Sequence, residues 1–172
     1  VPEAGIAASP SSGPCAPALP RRMLPSMWFI AISIRGKNKM IGLVIATHAH
    51  LGEEFLHAAE MIIGPTAQAR AVSIDMGDSV EAIREGIAAA INEVGRDGEG
   101  VIILTDMFGG TPSNISLAFL EQERVEVVAG VNLPMVLKFF NSGEGLSQEE
   151  LAVLLKACGE QGIFLPSGLL KK

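Results

Sequence analysis

The sequence predicts a three-layer α/β fold of the flavodoxin-like kind, a mainly parallel sheet of order 2-1-3-4 covered by helices on both faces. Short runs of branched apolar residues recur between residues 41 and 131, and stretches with helical spacing separate them. Capping residues open those helical stretches, and Gly or Pro closes several of them. Strands that alternate with helices pair in parallel through right-handed crossovers. No internal repeat is apparent.

Ile41 to Ala46 is the first run, and its continuous apolar character marks a strand buried on both faces. Leu51 to Ile63 follows with apolar residues at 51, 55, 59 and 62, and Gly64-Pro65 stops it. Ala69 to Asp75 is the second strand. Asp78-Ser-Val-Glu81 has the form of a capping box, and Val80, Ile83, Ile87, Ile91 and Val94 then mark one helical face. Gly95 ends that helix, and Val101 to Thr105 is a third, strongly apolar strand. Thr111-Pro112 offers an N-cap and a first-turn proline for a helix to about Glu121. Val125 to Val131 is the fourth strand. Asn132 caps a helix through Phe140, and Ser147-Gln-Glu-Glu150 opens another to about Cys158. Gly162 to Pro166 reads as a short C-terminal edge strand, where the proline is tolerated.

Composition narrows the function classes. Hydrophobic residues make up 48% and charged residues 19%, enough apolar material for a buried core. Residues 1–39 hold five Lys/Arg against Glu3, whereas residues 40–172 hold 8 basic and 18 acidic residues. That acidic body disfavours nucleic acid and would steer a basic protein partner. Two cysteines, Cys15 and Cys158, make neither a disulfide framework nor a metal quartet, which fits the cytoplasm.

Residues 1–20 are rich in Pro, Ala, Ser and Gly, and disorder is expected there. Met23 to Ile34 is apolar but shorter than the ~20 residues of a membrane span. A basic stretch, Arg35 to Lys39, follows it where a signal peptide would have small residues. The expected organisation is an N-terminal extension over 1–39, a domain over 40–165 starting at Met40, and a tail over 166–172.

In doubly wound sheets the ligand crevice lies beyond the strand carboxyl ends, where strand order reverses. For order 2-1-3-4 that point lies between the first and third strands. The first ends in Thr47-His48-Ala49-His50 and the third leads into Asp106-Met-Phe-Gly-Gly-Thr-Pro-Ser113. An imidazole is a nucleophile only with one ring nitrogen unprotonated, and a carboxylate on the other nitrogen fixes that tautomer. His48 is the candidate nucleophile and Asp106 its orienting partner at Nδ1, leaving Nε2 to react. Gly109, Gly110 and Thr111 then offer backbone amides and a hydroxyl as a phosphoryl cradle. No Walker lysine and no nearby Lys or Arg is present, so a nucleoside triphosphate is not the expected ligand. Each residue also has a structural reading. His48 fits a structural histidine, Asp106 a turn cap, and Gly109-Gly110 an ordinary turn. His50 reads as a neighbour, His57 as solvent-exposed and Cys158 as a small core residue.

Three segments carry a family resemblance: Met40 to His48, Leu104 to Asn114, and Val128 to Met135. Together they resemble the enzyme IIA domain of the mannose family of the bacterial phosphotransferase system over about residues 40–165. The resemblance implies that His48 takes a phosphoryl group from the carrier HPr and passes it to an enzyme IIB partner. A membrane IIC/IID permease would act downstream in sugar uptake. It also implies that Asp106 pairs with the active histidine and that Phe108, Gly110 and Thr111 line the phosphoryl site. A homodimer exchanging a terminal strand, here Ile163 to Leu165, is implied too, with no cofactor and no metal. Relatives often have glycine where this chain has Ala49, and His50 is an added imidazole.

Alternative readings are a regulatory module without transport and the phosphotransferase subunit of dihydroxyacetone kinase, which lacks the Gly-Gly-Thr-Pro run. A zinc hydrolase built on His48-x-His50 and Asp106 is more remote. Such enzymes use barrels of ~250 residues.

Overall fold

The computed structural model describes residues 40–122, 124–142 and 145–169. The expectations for residues 1–39, Cys15 among them, lie outside the described residues.

Four parallel strands form one sheet of order β2-β1-β3-β4. They are β1 (Gly42–His48), β2 (Ala69–Ile74), β3 (Val101–Thr105) and β4 (Val125–Ala129). The helices are α1 (Leu51–Ile63), α2 (Val80–Val94), α3 (Thr111–Leu117), α4 (Leu133–Asn141), α5 (Gln148–Gln161) and α6 (Pro166–Leu169). Among the described residues, no helix is long and apolar enough to cross a membrane.

The central strands β1 and β3 explain the continuous apolar runs, because alternate residues serve opposite faces. Leu43, Ile45, Ile102 and Leu104 join one buried cluster with Ala59, Met135, Val136, Phe139, Leu151 and Leu155, contributed by α1, α4 and α5. Val44, Ala46 and Ile103 join the other with Ile83, Ile87, Ile91 and Val94 of α2 and Phe119 just beyond α3. Each fully buried Leu or Ile contributes ~1.5–3 kcal/mol of transfer free energy. The register sets Ala46 level with Thr105, so Asp106 emerges beside the last residues of β1.

Several local expectations shift. Ser79, not Asp78, caps α2 by accepting from the Ala82 N–H, while Asp78 accepts from the Asp75 N–H. Leu51 and Ile62 are exposed, and α1 packs instead through Gly52, Phe55, Leu56 and Ala59. α3 stops at Leu117 and continues as turns, and β4 stops at Ala129. Ser147 forms the full capping box with Glu150, and Asn132 caps α4 by accepting from the Met135 N–H. Ile163 to Leu165 form no strand and do not join this sheet; their side chains are exposed. Of the expected tail, residues 166–169 wind into α6.

Candidate active site at the strand carboxyl ends

β1 delivers His48 to the rim of the sheet and fixes it from both sides. Thr47 is fully buried, and its Oγ1 accepts the Gly52 N–H at 2.8 Å. Gly52 must be small, because a Cβ there would lie 2.8 Å from the Ile45 carbonyl oxygen. α1 therefore starts tight against β1. On the other side Ala49, in the left-handed region at φ 47°, donates its N–H to the Ile74 carbonyl at 2.9 Å.

β3 delivers Asp106 to the same point. Its Oδ2 accepts the His48 backbone N–H at 3.0 Å and lies 2.7 Å from His48 Nδ1. Its Oδ1 accepts the Met107 N–H at 2.9 Å. Burial works against the Asp106 charge. The hydrogen bonds from the His48 ring and backbone, the His48 charge and the Met107 N–H outweigh it and hold the carboxyl below the usual carboxylate range. An ionised carboxylate only accepts, so Nδ1 carries a proton, and in the neutral ring the lone pair sits on Nε2. The His48 side chain is 48% exposed and that of Asp106 14%, an accessible ring on a covered support.

The glycine loop lies against the free edge of that ring. A Cβ on Gly110 would stand 2.9 Å from His48 Cε1 and 3.7 Å from Nε2. Gly109 holds φ 82°, a conformation suited to glycine, and its carbonyl accepts from Asn114 Nδ2 at 3.1 Å. Asn114 is a supporting residue that the sequence reading missed; its only signal was an amide side chain in the first turn after Thr111-Pro112. Gly110, extended at φ −76° and ψ 167°, is the N-cap residue of α3, which corrects the expected Thr111 cap. Thr111 is already helical, and its exposed hydroxyl has no partner among the described residues. Phe108 projects from the loop with 77% exposure.

His50 and His57 stand apart from this pairing. His50 Nδ1 lies 3.3 Å from Glu53 Oε2, and His57 Nδ1 lies 3.9 Å from Glu54. Cys158 is half-buried, with Sγ 3.6 Å from the Pro134 carbonyl oxygen. Among the described residues, no group of three or more His, Cys, Asp or Glu is placed to hold a metal. The arrangement thus offers an oriented nitrogen nucleophile beside a close-approaching backbone loop.

Residues 42–154 match the family described as the PTS system fructose IIA component, EIIA-man. The chain belongs to this family. The fructose-specific EIIA component of Bacillus subtilis is 31% identical over 134 residues, 77% of this chain and 91% of that protein. The mannose-specific EIIAB component of Escherichia coli K12 is 31% identical over 72% of this chain, which spans 38% of that longer protein. Among solved structures, the mannose/sorbose IIA subunit of Enterococcus faecalis superposes with a TM-score of 0.66 at 30% identity, covering 73% of this chain and 94% of that one. A PTS IIA protein associated with the fucose utilization operon of Streptococcus pneumoniae gives 0.67 at 25% identity, covering 77% and 97%. The chain is therefore a phosphotransferase system IIA component of the mannose family, with the family's parallel α/β sheet.

Proposed function

We propose that this IIA component is a phosphohistidine carrier in the cytoplasm. His48 accepts a phosphoryl group from HPr and hands it to an enzyme IIB partner, which phosphorylates sugar entering through a IIC/IID permease. The pairing of His48 Nδ1 with Asp106 at 2.7 Å carries this reading.

The Nε2 lone pair attacks phosphorus on the HPr phosphohistidine. A new N–P bond forms at His48 as the HPr nitrogen–phosphorus bond breaks and its electron pair returns to the HPr ring. Positive charge that develops on the His48 ring is offset by Asp106. The amides and hydroxyl of Gly109, Gly110 and Thr111 receive phosphoryl oxygens, and Phe108 walls the site. Transfer to IIB runs the same exchange in the other direction. Support for a IIB partner comes from the E. coli relative, whose name joins the A and B components in one chain. A homodimer completes the proposal, with the exposed Ile163 to Leu165 segment exchanged between subunits.

Incubation with enzyme I, HPr and phosphoenolpyruvate tests the reading. The protein should gain acid-labile phosphate, and His48→Ala should gain none. An unlabelled wild type overturns the carrier function; a labelled His48→Ala overturns the site assignment.

A further inference from the structure

We infer that His50 is the charge partner of the phosphoryl group on His48, a reading that rests on the carrier function proposed above. A phosphohistidine brings two negative charges to a site whose support, Asp106, is already an anion. The strand-end segments 47–54, 75–81, 105–114 and 129–135 contain no Lys or Arg. The charged groups they do contain, Glu53, Glu54, Asp75, Asp78, Glu81 and Asp106, are all acidic. His50 is the one residue there, besides His48 itself, that can become a cation.

The structure places His50 beside Glu53. Glu53 Oε1 accepts the Ser73 hydroxyl at 3.0 Å, which ties the carboxylate to β2. Its other oxygen, Oε2, lies 3.3 Å from His50 Nδ1. The His50 ring is 68% exposed, and Nε2 has no partner among the described residues. This looser ion-pair contact lies two residues from His48, across Ala49 in the left-handed region. As an imidazolium, His50 donates Nδ1–H to Glu53 and Nε2–H to a phosphoryl oxygen, so both donors meet anions. The group accepts no phosphate; it positions and neutralises the phosphate on its neighbour.

The test uses wild type, His50→Gln and His50→Arg with enzyme I, HPr and phosphoenolpyruvate at low salt, where exposed charges are least screened. If wild type takes no label, the carrier reading fails first. If it labels, the phosphorus NMR resonance of the phosphoprotein should shift in His50→Gln at fixed pH. His50→Gln should also lower the equilibrium ratio of phospho-IIA to phospho-HPr about tenfold, the scale of one charge-assisted hydrogen bond. His50→Arg should restore the ratio, which a merely structural role for the imidazole would not allow. An unchanged ratio in His50→Gln, or phosphate found on His50, overturns the inference.

Discussion

One oxygen of Asp106 meets His48 twice: Oδ2 accepts the backbone N–H at 3.0 Å and lies 2.7 Å from ring Nδ1. The same atom thus aligns the end of β1 with β3 and sets the ring tautomer. Position and tautomer of the nucleophile are set together.

Asp106→Asn keeps the shape and removes the charge. The initial rate of phosphorylation from HPr should fall about 100-fold, the scale of acid–base and orienting effects on a nucleophile. Circular dichroism should show the fold retained. A rate within twofold of wild type would show that the carboxylate is dispensable.

The same carboxyl makes stability depend on acid. Its folded value lies below the ordinary one, so its contribution is fully present above the unfolded value of ~3.9. The contribution is lost as pH falls through the depressed folded value. Urea midpoints measured from pH 6 to pH 2 should therefore drop more steeply for wild type than for Asp106→Asn below about pH 4. Parallel acid limbs would contradict the charge assignment.

Gly110→Ala should damage function more than stability. Its Cβ would sit 2.9 Å from His48 Cε1 and 3.2 Å from Met107 Cγ, both side-chain atoms that can move. The ring can yield, at the expense of its alignment with Asp106. Phosphorylation should slow at least tenfold while stability changes by less than about 1 kcal/mol. Gly52→Ala is the contrast, because its Cβ would meet the Ile45 backbone oxygen at 2.8 Å, where nothing yields. It should cost about 1–3 kcal/mol in chemical denaturation.

The sheet was legible because β1 and β3 are buried on both faces and read as unbroken apolar runs. Their carboxyl ends single out His48 and Asp106, since strand order alone makes them neighbours. Helix starts were less legible where two capping residues stand side by side: Asp78 and Ser79 compete, and backbone geometry decides for Ser79. Leu51 and Ile62 fit the apolar period of α1 yet face solvent, because the tight contact at Gly52 sets which side of α1 meets the sheet. Asn114 was invisible because its role is to hold a loop carbonyl, which no spacing encodes.

The C-terminal segment supplies the oligomer prediction. Ile163, Phe164 and Leu165 are 77%, 70% and 77% exposed, an apolar run without cover among the described residues. Sedimentation velocity should show a dimer for wild type and a shift toward monomer for the double change Ile163→Glu, Phe164→Glu. A monomeric wild type, or a double variant that stays dimeric, would contradict the strand exchange.

The most direct measurement is the identity of the phosphorylated nitrogen. Nitrogen-15 histidine labelling, followed by long-range proton–nitrogen NMR of the phosphoprotein, reads each ring separately. The account predicts phosphate on Nε2 of His48, with Nδ1 still protonated against Asp106. Phosphate on Nδ1 of His48, or on another histidine, would contradict it.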